Sequence, residues 1–412
     1  MRLWCWGWVL GLLLMNESHA AEPLEHARFA SFNIAMGLSS EGELAAALAS
    51  DQDERLQKVA ALIQKQRPDV LLLNEFDYDA SIDAAQLFQR HYLAVSQGGQ
   101  APIHYAFHFR APVNTGMPSG LDINHDQGEA YAENAWGYGT FPGQYGMLVL
   151  SRFPIQEERV RTFQFFRWSA MPGALRPRYE DGASYWSDAV WSQLRLSSKS
   201  HWDLPIVLPD GRTVHFLVSH PTPPVFDGPE NRNGLRNHDE IRFWADYVSA
   251  DGAAYHLDDQ GRRAKLPAQA SWVLAGDLNA DPQDGDSVPG TMDRLLDPGL
   301  SAACEPVSDG APVAAKQGGG ANLKHRGDSR FDTADFNNRY TGNLRVDYVL
   351  ASAAEAVVGC GVLWPAPGEP AADWVTVSDH RLVWLDLALS SKGQHRDLAP
   401  VQAETAGHSS DE

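Results

Sequence analysis

The sequence WVLAGDLN, residues 272–279, is an apolar run of strand length that ends in the polar residues Asp277 and Asn279. A continuous apolar run is typical of a strand buried on both faces, with its polar end emerging at the edge of a sheet. Side chains two positions apart on a strand share a face, so we expect Asp277 and Asn279 to converge. The stretch therefore predicts a central strand with two polar groups at its rim.

Other apolar runs of the chain also end in polar residues. They are residues 28–34 with Asn33, residues 70–73 before Asn74 and Glu75, and residues 213–219 before His220. Further strands are predicted over residues 146–150, 189–196, 346–351 and 382–387, and one-faced helices over residues 54–66 and 237–249. Many strands mixed with few helices predict a layered α/β arrangement with two facing sheets.

Four long connections, rich in Gly, Pro and aromatic residues, interrupt these elements. They span residues 97–145, 163–188, 222–235 and 281–342. Connections of this length inside a compact domain are usually functional or disordered. We expect the first two to form walls of a substrate cleft.

Both ends of the chain carry segments that we expect to lie outside the folded domain. Residues 1–20 contain one early cation, an apolar run and small residues before Ala21, which is the pattern of a cleaved export signal. Residues 390–412 are polar and lack periodicity, which predicts a disordered tail. The sequence thus predicts a domain over residues 21–389 of a secreted or periplasmic protein, without membrane insertion.

Charge and cysteine content narrow the function classes. The net charge is -20 and no basic stripe occurs, whereas proteins that hold DNA by its phosphates usually cluster Lys and Arg. This favours small phosphoesters as substrates, although a local basic cleft or a bound metal would still allow nucleic acid. Cys304 and Cys360 can form one disulfide in an oxidising compartment, and the lack of C-x-x-C spacing argues against a cysteine-based zinc or redox site.

The polar groups at the predicted strand ends supply what phosphoester hydrolysis requires. Negative charge develops on the phosphoryl oxygens, so the site needs a hard cation held by carboxylates, for which Glu75 and Asp379 are the first candidates. Asp277 can accept a proton from the attacking water. Asn279 can donate a hydrogen bond to the phosphoryl group.

Two histidines complete this set. His380 can bind phosphate or shuttle a proton if a carboxylate fixes its ring, and Asp347 is the candidate for that carboxylate. His220 can stabilise phosphate charge or protonate the leaving oxygen. Each of these residues alone is more often an ordinary rim or core residue. The ordered set of all of them is what indicates an enzyme.

That ordered set resembles the successive motifs of the endonuclease/exonuclease/phosphatase superfamily, which has the deoxyribonuclease-I-like fold. The motifs are Asn33, Asn74-Glu75, residues 145–154, Ser219-His220, residues 276–279, residues 345–348 and Ser378-Asp379-His380. The resemblance covers residues 29–387 and suggests a secreted, bacterial-type member. It implies a four-layered α-β-β-α sandwich, in which helices flank two packed mixed sheets of a single domain with long loop insertions.

The resemblance also implies roles for individual residues and Mg²⁺ or Mn²⁺ as the cofactor. The matched positions are Asn33, Glu75 and Asp379 for the metal, Asp277 and Asn279 for the water and the phosphate, Asp347 and His380 for the carboxylate-imidazole pair, and His220 for a catalytic histidine. The sequence departs from the common pattern at residues 221–224, Pro-Thr-Pro-Pro, where His-Leu is more usual. The identity of the substrate therefore does not transfer.

Two loops carry further candidate sites. Residues 231–238 include Arg232, Arg236 and His238, whose donors suit a phosphate. The alternative for this segment is an ordinary loop before a helix. Residues 122–126, DINHD, approach a calcium-binding loop, but the glycine comes one position late, so an accessory Ca²⁺ site competes there with an ordinary turn.

The sequence thus predicts a secreted, divalent-metal-dependent phosphoester hydrolase, either a phosphodiesterase or a phosphatase. An extracellular or periplasmic nuclease of the same fold is one alternative. A catalytically inactive ligand-binding member, which would hold its ligand with the aromatic residues of 136–145, is an alternative from another class. A decayed site usually loses a polar member, and here every required position is filled. The physiological substrate, the number of metals and the oligomeric state stay open.

Overall fold

Two β-sheets pack face to face in this protein. The computed structural model describes residues 24–249, 254–263, 265–267 and 269–390. The predicted export signal over residues 1–20 lies outside the described residues, and so does the predicted tail over residues 390–412 except for its first residue.

Thirteen strands occur in the described residues. They are β1 (His26–Met36), β2 (Val70–Phe76), β3 (Phe107–Phe109), β4 (Met147–Ser151), β5 (Arg161–Thr162), β6 (His201–Val207), β7 (Thr213–Ser219), β8 (Trp272–Asp277), β9 (Ala334–Asp335), β10 (Asn343–Leu344), β11 (Asp347–Ala351), β12 (Val357–Leu363) and β13 (Leu382–Ala388). One sheet has the order β12-β13-β1-β2-β4-β3, the second has the order β11-β8-β7-β6-β5, and β9 pairs with β10. Because β1–β2 and β7–β8 are parallel and the other pairs are antiparallel, both large sheets are mixed.

Helices connect these strands. They are α1 (Glu43–Leu48), α2 (Glu54–Gln66), α3 (Ala84–Phe88), α4 (Asp188–Trp191), α5 (Arg232–Val248) and α6 (Gly310–Gly318). A π-helical turn over Gln89–Leu93 extends α3, and 3-10 turns lie at Glu157–Arg159, Trp168–Ala170, Gly320–Lys324, Ser329–Phe331 and Val375–Val377.

Apolar side chains from both large sheets fill the space between them. The ring of Phe29 on β1 lies 5.5 Å from the ring of Phe216 on β7, and both are fully buried. Trp202 on β6 meets Phe109 on β3 edge to face at 5.1 Å. Strands covered on both faces need apolar side chains at successive positions, which explains the continuous runs in the sequence.

The five-stranded sheet uses its two faces for two different cores. On β7, Phe216 packs between the sheets, whereas the next residue, Leu217, joins Trp244 of α5 in a second core. Leu56 and Ile63 of α2 pack in the same core as the six-stranded sheet. The result is the predicted four-layered α-β-β-α sandwich.

Several predicted elements are confirmed at their predicted positions. The helix over residues 54–66 and the strands over residues 213–219 and 272–277 have the predicted bounds. Asp53 starts the helix by accepting a backbone N–H of its first turn at 2.9 Å, and Arg67, with a φ of 51°, ends it. These elements have their start, stop and packing signals in the local sequence, which is why pattern analysis finds them.

The predicted strand over residues 189–196 is wrong. Asp188–Trp191 forms the short helix α4, because the Ser187 hydroxyl accepts a backbone N–H of the following turn at 3.3 Å. The ring of Trp191 packs on Trp168, with 5.0 Å between the ring centroids. The alternation of apolar and polar residues thus reflects a turn that packs into an aromatic cluster.

The helix predicted over residues 237–249 begins at Arg232, so the predicted loop over residues 231–238 is wrong. Asp227 Oδ2 accepts the backbone N–H of Asn233 at 2.6 Å, which satisfies one of the free donors in the first turn. This capping residue lies outside the local window in which capping patterns are recognised.

Sequence patterns do not predict β6 or β12. β6 contains Asp203 and Pro205, residue types that are disfavoured in strands. The Asp203 carboxylate is hydrogen-bonded to His215 Nδ1 on the neighbouring strand at 2.6 Å. Cys360 on β12 forms a disulfide with Cys304, the pairing that the sequence allowed. None of the helices in the described residues has the length and apolar character needed to cross a membrane.

Candidate active site

The carboxyl ends of the two parallel strand pairs lie at one edge of the sandwich. β1 and β2 bring Asn33 opposite Asn74. In the other sheet, β8 ends at Asp277 and β7 is followed by His220. The backbone N–H of Asp277 donates to Asn74 Oδ1 at 3.1 Å and so joins the two sheets at this edge. Residues that are far apart in the sequence therefore meet at one place.

Asp277 is the acceptor around which this edge is organised. Its Oδ2 accepts a hydrogen bond from Asn33 Nδ2 at 3.0 Å, and His220 Nε2 lies 3.3 Å away. His380 Nε2 is 3.6 Å from the same oxygen. Burial favours protonation of Asp277, which is 1% exposed, but His380, His220 and the hydrogen bonds outweigh burial and hold the pKa of Asp277 well below its usual range. Asp277 therefore stays ionised.

His380 bridges two buried carboxylates. Asp277 on β8 and Asp347 on β11 are direct partners in the antiparallel register, and His380 Nδ1 lies 2.9 Å from Asp347 Oδ2. Thr333 Oγ1 donates to the same Asp347 oxygen at 2.9 Å. The Ser378 hydroxyl accepts the backbone N–H of His380 at 3.0 Å. These contacts fix the ring with Nε2 toward Asp277.

The two carboxylates set the protonation of His380. Burial alone would lower the pKa of His380, but the charges of Asp347 and Asp277 outweigh it and raise the pKa well above its usual value. Burial raises the pKa of Asp347, against the opposing charge of His380. These three residues are also the group of acidic and imidazole ligand atoms that lie within 4.8 Å of one another in the described residues. Since His380 faces a carboxylate with each ring nitrogen, we interpret the group as a proton-handling network.

His220 has the opposite protonation behaviour. Burial and the neighbouring charge of Lys199 lower the pKa of His220, although Asp277 and Glu75 act in the other direction. Its Nδ1 is buried and has no hydrogen-bond partner among the described residues. His220 therefore serves as a neutral donor to Asp277, whereas His380 is a cationic one.

Glu75 and Asp379 present carboxylate oxygens to the cavity above Asp277. Glu75 has a φ of 58°, and its Oε1 accepts a hydrogen bond from Asn33 Nδ2 at 3.2 Å. Asp379 is 52% exposed and lies 4.0 Å from His380 Nε2. Neither carboxylate has a Lys or Arg nitrogen within 4.0 Å in the described part of the chain. The two carboxylates at the cavity wall are hard oxygen donors of the kind that suits Mg²⁺ or Mn²⁺. The Asn33 amide lies behind them, and its oxygen accepts the backbone N–H of Ala35 at 3.0 Å.

Asn279 lies beside Asp277 for a reason other than the predicted one. β8 ends at Asp277, and Asn279 has a φ of 52°, so the two residues do not share a strand face. Instead, the backbone N–H of Asn279 donates to Asp277 Oδ1 at 3.0 Å, and Asn279 Nδ2 donates to the carbonyl of Pro221 at 3.1 Å. The expected alternation is wrong at this point, and a tight turn brings both side chains to the cavity.

A cavity of about 1260 Å³ opens over this edge. The predicted site residues that line it are Glu75, His220, Arg232, Arg236, Asp277, Asn279, Asp379 and His380. Asn33 and Asp347 lie behind this lining, each hydrogen-bonded to a residue that lines it. The connections over residues 97–145 and 163–188 contribute to the walls, as the sequence suggested.

The three predicted phosphate-binding residues of α5 have different surroundings. The Arg236 guanidinium donates to four backbone carbonyls of the neighbouring wall. Arg232 pairs with Glu230. His238 is not among the residues that line the cavity, and its Nδ1 lies 3.1 Å from Asp239 Oδ1. Binding of substrate by these residues stays a prediction, since two of the three already have strong partners.

Lys199 is a cavity residue that the sequence analysis missed. It is 6% exposed, and no carboxylate oxygen lies within 4.0 Å of its ammonium group in the described residues. Burial lowers the pKa of Lys199, against the charges of Glu240, Glu75 and Asp277. Lys199 precedes β6, whose first residue pairs with Ser219 at the end of β7. Only a correct prediction of β6 would have placed this lysine beside the site.

The connection over residues 281–342 supplies two further residues that the sequence analysis missed. Thr333 holds the Asp347 carboxylate, as described above. Phe336 meets the His380 ring edge to face, with 5.3 Å between the centroids. A long insertion thus contributes the contacts that keep the imidazole in place.

The carboxylates of the loop over residues 122–126 accept hydrogen bonds from nearby backbone and side-chain groups. Asp126 accepts the backbone N–H groups of Gly128 and Ala130, both at 2.9 Å, and Asn134 Nδ2 at 2.7 Å. Asp122 Oδ1 accepts the backbone N–H of Asp126 at 3.0 Å. An ordinary turn accounts for these contacts, and the accessory Ca²⁺ site stays a prediction.

Comparison with solved structures finds similar chains of low sequence identity. Among solved structures, an endonuclease/exonuclease/phosphatase from Beutenbergia cavernae DSM 12333 is similar at 19% identity and a TM-score of 0.49, covering 90% of this chain and 73% of that chain. Sphingomyelinase C from Streptomyces griseocarneus is similar at 17% identity and a TM-score of 0.46, and the match covers 88% of this chain and 99% of that chain. The human Nocturnin catalytic domain with bound sulfate is similar at 15% identity and a TM-score of 0.43, and the match covers 89% of this chain and 95% of that chain.

Sequence comparison decides the assignment. A search of curated proteins finds no significant match. The profile of the Endonuclease/Exonuclease/phosphatase family matches residues 30–380, which include every strand end described above. The chain therefore belongs to the endonuclease/exonuclease/phosphatase family, whose members are hydrolases of phosphoester bonds.

Proposed function

We propose that this protein is a divalent-metal-dependent phosphoester hydrolase, in which water attacks phosphorus in line with the leaving oxygen. The observation that supports this proposal is the ionised Asp277 carboxylate beside protonated His380, with 3.6 Å between Oδ2 and Nε2, at the cavity. Attack of water on a phosphoryl group needs an ionised group that can accept the proton of water and a protonated group that can donate a proton to the leaving oxygen.

Asp277 and His380 together can complete a proton cycle. The water oxygen bonds to phosphorus and its proton goes to Asp277, while the bond from phosphorus to the leaving oxygen breaks. The leaving oxygen keeps the electron pair of that bond and takes a proton from His380. Asp277 then returns its proton to His380 across the short gap between them. Because the low pKa makes Asp277 a weak base, we expect its proton transfer to occur late, when the attacking oxygen is already bonding to phosphorus.

The remaining residues of the network position these two groups. His220, which is neutral, donates to Asp277 and orients the carboxylate without competing for the proton. Asp347 and Thr333 hold the His380 ring and stabilise its positive charge. Carboxylates and hydroxyls that orient an imidazole commonly raise its basicity without contacting the substrate themselves.

Glu75 and Asp379 are the residues that would hold the metal, with Asn33 as a neighbouring amide. When bound, the cation would polarise the phosphoryl oxygens and neutralise charge that develops in the transition state. Asn33 has a second task, since its Nδ2 donates to both Glu75 and Asp277 and so sets the distance between the metal-binding carboxylate and the water-binding carboxylate.

We also propose that the protein is exported and acts as a secreted or periplasmic enzyme. The leader pattern of residues 1–20 and the disulfide between Cys304 and Cys360 support this. Expression in a bacterial host followed by mass spectrometry of the exported protein tests it. The expected mature chain begins at Ala21 and has no free thiol. A full-length chain retained in the cytoplasm would contradict export.

Turnover of defined substrates tests the hydrolase proposal. The exported protein is assayed with Mg²⁺ or Mn²⁺ on bis-p-nitrophenyl phosphate, p-nitrophenyl phosphate, plasmid DNA and RNA. We expect metal-dependent release of nitrophenolate, abolished by a chelator and restored by the metal. Preferential cleavage of plasmid DNA or RNA would identify a nuclease, which is the alternative of the same fold.

Asp277→Asn is the inactive variant for this assay, because it keeps the size of the side chain and removes its charge. Asp293→Asn changes an exposed carboxylate elsewhere on the chain and should leave activity unchanged. Equal turnover by the wild-type protein and folded Asp277→Asn would contradict the role proposed for Asp277. Lack of turnover with every substrate and metal would favour the inactive ligand-binding alternative.

A further inference from the structure

Arg195 lies on the wall of the cavity between two aromatic rings. Its guanidinium carbon is 4.6 Å from the centre of the Trp136 ring and 4.7 Å from that of Phe165. The residue belongs to the stretch between α4 and β6 and lines the same cavity as Asp277. Aromatic faces hold a guanidinium in a fixed plane while leaving its edge free for hydrogen bonds.

The Arg195 guanidinium has no acidic partner in the part of the chain that the structure describes. Arg195 Nη1 donates to the side-chain oxygen of Asn114 at 2.6 Å, and no carboxylate oxygen lies within 4.0 Å of the guanidinium in the described residues. Burial lowers the pKa of Arg195, and the charge of Asp259, which opposes that effect, is too distant for an ion pair. Arg232 shows the contrasting case on the same cavity, since it is neutralised by Glu230.

The support around Arg195 is rigid. Asn114 Nδ2 donates to the carbonyls of Gln164 and Ser197, both at 2.8 Å, so the amide that holds Arg195 is itself held. Arg236 donates to the carbonyl of Arg195 at 3.0 Å and to that of Trp136 at 2.8 Å. A binding site needs this kind of support, because groups that are already fixed lose little freedom when a ligand binds.

The same stretch of chain extends from Arg195 to the proposed catalytic groups. Lys199 lies four positions later, lines the cavity and is close enough to Asp277 and Glu75 for their charges to affect its pKa. Arg195 and Lys199 are thus cations of the same wall, neither with an acidic partner in the described part of the chain. Both side chains line the cavity that contains the proposed catalytic groups.

We propose that Arg195, with Trp136, forms a subsite for a second anionic group of the substrate, separate from the phosphoryl group that is hydrolysed. This inference rests on the proposed function, since it assigns a substrate class to the same cavity. The chemistry of the subsite suits a phosphate, phosphonate or carboxylate, because a guanidinium edge offers two parallel N–H donors to such groups. The substrate is therefore a phosphoester that carries another negative group.

Alkane-α,ω-bisphosphonates with one to six methylene groups test this subsite. Each is compared with the alkylphosphonate of the same length, first as an inhibitor of bis-p-nitrophenyl phosphate hydrolysis and then by titration calorimetry with the same metal. We expect the second phosphonate to improve the affinity of the wild-type protein about tenfold at one spacer length, the scale of one charge-assisted contact. A matching series of ω-carboxyalkylphosphonates distinguishes a carboxylate from a phosphate as the second group.

Variants of Arg195 give the decisive comparison. Arg195→Gln should lose the gain in affinity while binding the alkylphosphonates as the wild-type protein does. Arg195→Lys keeps the charge and should retain part of the gain, and Arg159→Gln, on an exposed turn, should retain all of it. Thermal unfolding of each variant shows whether it is folded.

The outcomes separate the two proposals. Absence of a gain at every spacer length in the wild-type protein, or an undiminished gain in folded Arg195→Gln, overturns the subsite. If calorimetry shows the Arg195-dependent gain but no phosphoester is turned over, the subsite stands and the proposed hydrolase activity fails.

Discussion

The edge around Asp277 and the wall around Arg195 line the same cavity but balance their charges differently. At the edge, the buried charges alternate in sign, with His380 between Asp277 and Asp347. On the wall, Arg195 and Lys199 are cations without acidic partners in the described residues. A network of alternating charges can move a proton without a ligand, whereas an uncompensated cation gains a partner only when an anion binds.

This difference predicts that variants of the two regions change different kinetic constants. Groups that act only in the transition state lower kcat when they are removed, whereas groups that bind the ligand in the ground state raise KM. Variants at the edge should therefore lower kcat, and variants of the wall should raise KM for doubly anionic substrates. The changes below test this contrast, from the largest expected effect to the smallest.

Asp277→Asn should lower kcat about a thousandfold, because it removes the acceptor for the proton of water in the middle of the network. The protein should still fold, since an asparagine side chain can occupy the same space. Steady-state kinetics with bis-p-nitrophenyl phosphate measures the effect, and Asp293→Asn is the control. A folded Asp277→Asn protein with a kcat within threefold of the wild-type value, about 0.7 kcal/mol in barrier, would remove Asp277 from the mechanism.

His380→Gln should lower kcat about a hundredfold, because the cationic proton donor is lost. Combining it with Asp347→Asn should cost little more than His380→Gln alone, since Asp347 acts through His380. Kinetics of the two single variants and the double variant form the cycle. Strictly multiplicative effects of the two changes would show that Asp347 has a separate role.

Asp332→Asn tests a buried carboxylate near the edge that forms no ion pair within the described residues. Asp332 is 8% exposed, and burial, together with Asp281, Asp284 and Asp328, raises its pKa to about 8. Between its ordinary pKa and this value, the folded protein keeps a proton that the unfolded chain releases. The free energy of unfolding should therefore fall as the pH rises through this window and change no further above it.

Asparagine removes this pH-dependent cost. Relative to the wild-type protein, Asp332→Asn should be more stable at pH 8.5 than at pH 4 by at least about 2 kcal/mol. Urea unfolding at several pH values measures the difference, with Asp293→Asn as the control for an exposed carboxylate. Parallel stability curves for the wild-type protein and Asp332→Asn would show that this carboxyl has an ordinary pKa.

Thr333→Val should lower kcat about tenfold, the usual scale for a group that orients a catalytic residue from behind. The hydroxyl donates to Asp347 and accepts the backbone N–H of Val346 at 3.0 Å, so some stability is lost as well. Thr333→Ser keeps the hydroxyl and should restore activity. A change in the pH profile of kcat in Thr333→Val, absent in Thr333→Ser, would separate altered protonation of His380 from loss of stability.

Part of the edge could be predicted from sequence because Glu75, His220 and Asp277 follow strong apolar runs, whereas Asp347 and His380 come at or before the start of a strand. The runs before Glu75, His220 and Asp277 specify strands locally, and parallel strands then bring their carboxyl ends together. Asn279 shows the limit of this reasoning, since it lies past the end of β8 in a turn whose positive φ no alternation rule predicts.

The wall could not be predicted because tertiary contacts decide its structure. Residues 189–196 alternate like a strand, yet an aromatic cluster and the Ser187 cap make part of them helical. Arg195 is held by Asn114, which comes from a segment that local patterns leave as a connection. Lys199 precedes β6, a strand that local patterns miss because it contains Asp203 and Pro205, and Asp203 has its partner, His215, on the neighbouring strand. Non-local contacts of this kind override local preference.

Asp227→Ala gives the smallest expected change and examines how far the wall depends on α5. Asp227 Oδ2 caps the first turn of the helix that carries Arg236, and Arg236 holds the backbone of Arg195. Loss of a cap usually costs about 1 kcal/mol, so Asp227→Ala should lower the free energy of unfolding by about that amount. Since Arg236 is held by four carbonyls, the kcat and KM for singly charged substrates should not change. A larger KM for doubly anionic substrates alone would mean that the first turn of α5, and not only Arg195, positions the second anionic group.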